Sequence, residues 1–303
     1  MATPVSNHST EHRRWLGFGL AILAAIGFSG KAIFVKLAYS EAVDAVTLLA
    51  LRMLFSAPFF LVVALRHAWQ KPAQSLGRRD YAALLLLGLL GYYLSSLFDF
   101  IGLQYISAGL ERLILFLYPT LVVVLSALLL HKPFGRKEVV ALLLSYAGIG
   151  VVFGDQVTLQ AEHLWLGAGF VFASTLTYAA YLIGTGETVA RIGASRFTAY
   201  AMLVACVATL IQFLLTHPPQ ALLVSARVYQ LSLWMALVST VLPVFMLSAA
   251  IRIIGSGHAS LIGALGPVAT LFLANVFLGE QLSAGQMAGA GLVLIGVLSL
   301  SRK

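Results

Sequence analysis

The strongest constraint on this chain is a series of ten apolar stretches, each long enough to cross a lipid bilayer. A spanning helix needs about 20 predominantly apolar residues, because the hydrocarbon core is ~30 Å thick and a helix rises ~1.5 Å per residue. Stretches of 17 to 25 residues occupy positions 15–38, 45–65, 81–105, 107–130, 138–154, 164–185, 196–215, 230–252, 257–279 and 284–301. Hydrophobic residues make up 60% of the 303 positions and charged residues 10%, whereas soluble domains carry about 25% charged residues. One core cannot enclose so much apolar surface, so much of it faces lipid. Backbone polar groups in hydrocarbon must be bonded internally, and no long run alternates in the manner of a barrel strand. The expected fold is therefore an all-α membrane protein with ten transmembrane helices.

Residues 1–12 form a polar tail that ends before Arg13 and Arg14. The apolar run after them is longer than the ~7–15 residues of a cleavable signal, and it is read as a retained first membrane helix. The single cysteine, Cys206, lies inside an apolar run, so no intrachain disulfide forms. The net charge of +8 is not a nucleic-acid patch, because the Lys and Arg residues sit between apolar runs. Of nineteen, fourteen fall in the two tails and alternate loops on one side; only Arg227 falls on the other, and Lys31, Lys36, Arg52 and Arg112 lie within the apolar stretches. Such an excess places both termini of a multi-pass protein in the cytoplasm.

The chain also repeats itself. Trp15-Leu16-Gly17-Phe18-Gly19 recurs 150 residues later as Trp165-Leu166-Gly167-Ala168-Gly169. At an offset of 148, Gly109 matches Gly257, Leu113 matches Leu261, Pro119 matches Pro267 and Gly148 matches Gly296. Each half, 1–154 and 155–303, holds five of the apolar stretches. An odd number makes the second half enter the membrane from the opposite side. Two inverted five-helix repeats are the architecture of many secondary transporters.

The residues Leu103-Gln104-Tyr105-Ile106-Ser107-Ala108-Gly109 through Tyr118-Pro119-Thr120 carry a family pattern, as do Gly255-Ser256-Gly257 through Gly266-Pro267. Gly279-Glu280, Gly289 and the stretch from Gly291 to Gly296 fit it as well. The chain resembles the EamA-type members of the drug/metabolite transporter superfamily, ten-helix bacterial carriers associated with export of amino acids and other small metabolites. Lys132 stands where the repeat of Glu280 would fall and where family members commonly carry a second glutamate. The resemblance implies an exporter of neutral or aromatic amino acids or related compounds, with a small-molecule substrate and a lipid bilayer as its partners.

Three groups of residues are candidates for chemistry. Pro119 and Pro267 lie near the midplane of the fourth and ninth stretches, where each removes a donor and frees a carbonyl one turn earlier, at Leu115 and Gly263. Gly266 beside Pro267 permits close backbone approach. A lone proline is a packing kink, whereas a pair matched by the repeat marks a cavity wall, together with Tyr118. The second group is Lys31, Arg52, Asp99, Glu111 and Arg112, charges that lie within about 10 Å of the periplasmic ends of their helices. Each is expensive in lipid, so partners are expected. Two readings fit: a network with a surplus cation such as Lys31 for a substrate carboxylate, and Asp99 or Glu111 for a coupling proton; or snorkelling side chains and salt bridges of an outer gate. The third group is aromatic and hydroxylic. Tyr92, Ser96, Asp99 and Leu103 form one helical stripe, and Tyr178 and Tyr181 another, beside Thr177. They suit a small amphiphile, or they are interhelical packing. Gly150-x3-Gly154 and Gly285-x3-Gly289 are read as packing between repeats or between two protomers of a homodimer.

No GxxxxGK[ST], HExxH, GxSxG or metal-spaced His/Cys cluster occurs. No catalytic residue, metal or cofactor is expected. The reading is a secondary or facilitative carrier; an intramembrane enzyme and a non-transporting scaffold are the alternatives.

Overall fold

The computed structural model describes residues 7–69, 76–131, 135–157, 163–263 and 265–301, and every regular element among them is helical. α1 (Asn7–Tyr39) and α2 (Ala45–Trp69) are long and unbroken. The third stretch is α3 (Arg78–Gly88) and α4 (Ser95–Leu103), joined by a π-helical turn, Leu89–Leu94. The fourth is α5 (Ala108–Leu115) and α6 (Tyr118–Leu130). α7 (Arg136–Val157), α8 (Leu164–Ile192) and α9 (Ala194–Thr216) follow. The eighth stretch is α10 (Ala226–Ala236) and α11 (Leu242–Gly263), again joined by a π-helical turn, Leu237–Val241. α12 (Gly266–Leu278) and α13 (Ala284–Ser301) complete the chain.

Among the described residues, seven helical stretches are long and apolar enough to cross a membrane, and Val139–Val152, Gly266–Leu278 and Ala284–Gly296 are shorter apolar helices. The expected ninth span is not one helix. Its first turns are set off from the rest of α11 by a kink at Gly255, whose non-helical φ of 82° a glycine adopts without strain, and the remainder restarts at Gly266.

The interruptions come in pairs. The π turns begin at Leu89 and Leu237, 148 residues apart. Each inserts an extra residue and rotates the helix beyond it. In the second, the Thr240 hydroxyl donates to the Met235 carbonyl, five residues back, at 3.2 Å. The proline breaks form the other pair. The chain leaves the helix at Phe116–Leu117 and again after Gly263, and restarts with Pro119 or Pro267 in the first turn. The expectation of a kink inside a continuous helix is therefore corrected: at a first turn the missing donor is one that no helix would use. Side-chain hydroxyls at these breaks donate to the carbonyls of Ile114 (Thr175 Oγ1, 3.3 Å), Leu117 (Thr120 Oγ1, 2.8 Å) and Gly266 (Ser29 Oγ, 3.0 Å), whereas the carbonyls expected to be freed were those of Leu115 and Gly263.

Packing follows the same pairing. α1 lies against α11 and α12, as α8 lies against α4 and α6; α2 packs on α9, and α7 on α13. The last contact needs glycine: a Cβ at Gly148 would sit 2.6 Å from the Gly289 carbonyl oxygen. Gly148 and Gly289 thus make the close approach, and Gly150 and Gly154, expected there, face open space. Lys132 lies outside the described residues.

Candidate functional site

α5 is short, and the turn that joins α4 to it is held by side chains on both sides. Ser107 caps it, accepting from the Leu110 amide at 3.2 Å. Glu280, from the loop after α12, accepts from the amides of Ala108 (2.9 Å) and Gly109 (3.2 Å). Lys36 on α1 donates to the carbonyls of Leu103 (3.1 Å) and Ile106 (3.0 Å), where α4 ends. An anion at a helix start and a cation at a helix end satisfy the groups that each terminus leaves unbonded. This clasp sets the height of Glu111 and Arg112, one turn into α5. Being adjacent, these two side chains point about 100° apart around the helix.

Glu111, fully buried, meets the Lys31 ammonium at 3.0 Å. Asp99, also buried, binds the same ammonium. Lys31 was a candidate for substrate; it is engaged by two carboxylates instead. Arg52 does not join them. Its Nε donates to Thr240 Oγ1 at 3.0 Å and its Nη1 to Ser96 Oγ at 3.5 Å, and its guanidinium lies 5.4 Å from the Phe100 ring centroid. Of the two readings, a shared network and separate gate contacts, the direct bonds divide the charges into three arrangements, with Arg52 acting on Asp99 and Arg112 on Glu111 only at longer range.

Arg112 is the third. It turns to the break before Pro267, where a Cβ on Gly266 would stand 2.5 Å from its Nη2. A Cβ there would push the end of this flexible side chain aside, so glycine lets the guanidinium rest against the break. The Arg112 charge is also within electrostatic reach of the Tyr118 and Tyr178 hydroxyls.

From that point a chain of tyrosines runs between the helices. Tyr118 and Tyr178 meet edge to face at 5.5 Å between centroids, and Tyr178 stacks on Tyr181 at 5.5 Å. Tyr181 meets Tyr92 at 5.2 Å, with a hydroxyl–hydroxyl bond of 2.9 Å. The structure thus gathers Tyr92, Tyr118, Pro119, Tyr178, Tyr181, Arg112, Gly266 and Pro267 along one path. The stripe of Tyr92, Ser96, Asp99 and Leu103 is broken up: the π turn rotates Tyr92 toward α8, while Ser96 faces Arg52 and Asp99 faces Lys31. Thr177 turns its hydroxyl to the Ser174 carbonyl, at 2.9 Å, and adds none to the site. The sequence reading missed Thr240, Glu280 as a cap, and Lys36. A separate cavity of about 420 Å³ between α1, α11 and α12 is lined by apolar side chains such as Phe34, Pro243 and Phe277.

Two stretches, residues 15–154 and 165–302, match the EamA-like transporter family. The chain belongs to that family. The uncharacterized transporter YcbK of Bacillus subtilis is 29% identical over 277 residues, 89% of this chain and 88% of its own. An uncharacterized transporter of Archaeoglobus fulgidus is 23% identical over 304 residues, 96% of this chain and 99% of its own. Among solved structures, a protein 18% identical superposes with a TM-score of 0.62 over 92% of this chain and 96% of its own, a likeness of fold. This EamA-like protein is a multi-pass membrane transporter, and its family and relatives carry transporter rather than enzyme names.

Proposed function

We propose that this EamA-like transporter is a secondary-active or facilitative carrier that exports small amphiphilic metabolites, neutral or aromatic amino acids and related compounds, by alternating access. The halves 1–154 and 155–303 are its two inverted five-helix repeats, crossing the bacterial inner membrane ten times with both termini in the cytoplasm. The observation that carries this reading is the recurrence of both interruptions at one offset, the π turns at Leu89 and Leu237 and the breaks before Pro119 and Pro267. Discontinuous helices at corresponding places in inverted halves are where secondary transporters bind substrate. The path from Tyr92 to Gly266 touches three of the four interruptions. Lys31, Asp99 and Glu111, with the Lys36 and Glu280 clasp, form the outer gate, which has no charged counterpart at Tyr181, Leu247 and Ala259 in the second half. Gly150 and Gly154 offer an open small-residue face to a second protomer.

Thiol accessibility tests alternation. In a Cys206→Ser background, Tyr178→Cys is exposed to an impermeant maleimide in right-side-out and in inverted vesicles. A carrier reacts from both faces. Reaction from one face only, unchanged by any solute, contradicts alternating access.

A further inference from the structure

We infer that the substrate of this site is an organic anion, a carboxylate on a flat aromatic body, with Arg112 as its anchor. This deepens the transporter reading above and rests on it.

The charges within the apolar stretches decide the sign of the ligand. Lys31, Lys36, Arg52 and Arg112 lie inside the stretches with Asp99 and Glu111, Glu138 standing at the very start of its own, and Lys36 is taken up by the carbonyls of Leu103 and Ile106. Both carboxylates are buried on Lys31. Arg52 is enclosed by Thr240, Ser96 and Phe100 and is only 7% exposed. Arg112 is less enclosed; among the described residues no carboxylate forms an ion pair with it, Glu111 acting on it only at longer range, and no acceptor reaches its buried Nε. A guanidinium held in a membrane interior without a hydrogen-bonded anion has room for one.

The geometry fits a carboxylate. Its two oxygens match the parallel N–H pairs of the planar guanidinium fork, which is why Arg rather than Lys is used for such anions. Gly266 leaves room for that fork beside the backbone of the break. Tyr118 and Tyr178, edge to face beside it, offer an aromatic wall with hydroxyls close to the charge. A flat ring packs against such a wall in offset or edge-on contact.

A substrate ammonium fares differently. Each of the described acidic side chains has a cation or amide partner: Asp99 and Glu111 share Lys31, each keeping one buried oxygen without a hydrogen bond, while Asp80 has Arg191, Glu41 has Arg227, Asp44 the amides of Val46 and Thr47, and Glu280 those of Ala108 and Gly109. The amino group of an amino acid is therefore accommodated by hydroxyls alone and adds little. The order of preference is aryl carboxylate, then aromatic amino acid, then aryl amine.

Three probes with one ring and different charge test this: 3-phenylpropionate, L-phenylalanine and 2-phenylethylamine. Each competes, in proteoliposomes of the full chain, with the labelled solute that the protein moves best. Wild type should favour 3-phenylpropionate over 2-phenylethylamine by about tenfold to a hundredfold, the weight of one charged hydrogen-bonded pair. Arg112→Gln should bring the three within about threefold of one another, and Arg112→Lys should keep part of the preference. Gly266→Ala keeps the charge but fills the place of Nη2, and should weaken the carboxylate selectively. The inference is overturned if the amine competes as well as the carboxylate, if the preference survives Arg112→Gln, or if other solutes are moved and none of the three competes. Failure to move any solute would instead overturn the transporter reading on which the inference stands.

Discussion

Replacing Lys31 with methionine tests the buried ion cluster where it is most exposed to failure. The Lys31 side chain is 15% exposed, whereas those of Asp99 and Glu111 are 3% and 0% exposed, so the lysine alone touches the surroundings. Methionine keeps most of the volume and removes the one charge that the two carboxylates share. Breaking a buried pair by deleting one partner destabilises by about 3–5 kcal/mol, mostly because the remaining charge is left uncompensated. Here two charges are left, so Lys31→Met should lie at the upper end of that range. Asp99→Asn is milder, because Lys31 keeps Glu111 at 3.0 Å; the loss should be near that of one charged hydrogen bond, about 1.5–3 kcal/mol. The triple change Lys31→Met, Asp99→Asn, Glu111→Gln should recover most of the loss, since neutral side chains need no counter-charge. Cys206 supplies the assay. It is 2% exposed, with its Sγ 3.5 Å from the Met53 carbonyl oxygen, so a thiol-reactive dye reports unfolding without any engineered label. By the scale of domains of 150–250 residues, ~2–4 °C for each kcal/mol, the Lys31→Met midpoint should fall on the order of 10 °C. If Lys31→Met and Asp99→Asn both melt with wild type, the cluster is hydrated and the gate assignment fails.

Glu280→Gln keeps an acceptor but removes the charge from the start of α5; it should lower the melting midpoint by the equivalent of about 1 kcal/mol and slow transport, and no change in either would remove the clasp. Pro119→Ala and Pro267→Ala should each reduce transport far more than expression, whereas Pro58→Ala, inside the continuous α2, should matter less; equal effects at all three would place the site elsewhere. At Asp44, burial pushes the carboxyl up, but the Thr47 hydroxyl and amide, the His217 ring and the Val46 amide outweigh it and hold the group below its usual range. Its contribution to stability is then present above about pH 4 and lost as pH falls through the lower folded value. Melting midpoints of wild type and Asp44→Asn should differ at neutral pH and converge toward pH ~3; a constant difference would show that the carboxylate charge plays no part.

The apolar stretches and their repeat were legible because they follow from length, composition and spacing. The positions of Pro119 and Pro267 were legible for the same reason. What the prolines do was not: a first-turn proline and a mid-helix proline look alike until the hydroxyls of Ser29 and Thr175 are seen at the breaks. The π turns carry no residue signature, yet one of them separates Tyr92 from Ser96 and undoes a stripe that a regular helix would have made. Partners of the charges were illegible for a related reason. Sequence gives the depth of Arg52, but only rotation about α2 shows that it meets Thr240, 188 residues away, rather than Asp99. Glu280 and Lys36 were read as loop and span residues because capping depends on which helix end lies nearby.

Counterflow in proteoliposomes tests the central claim most directly. Vesicles preloaded with one unlabelled candidate, beginning with aromatic carboxylates and aromatic amino acids, are diluted into the same labelled solute. A carrier with a single site facing each side in turn should accumulate label transiently above its outside concentration, saturably, and more slowly after Pro119→Ala or Pro267→Ala. Label that never exceeds the level of protein-free vesicles, for any solute of the panel, would contradict carriage by this protein.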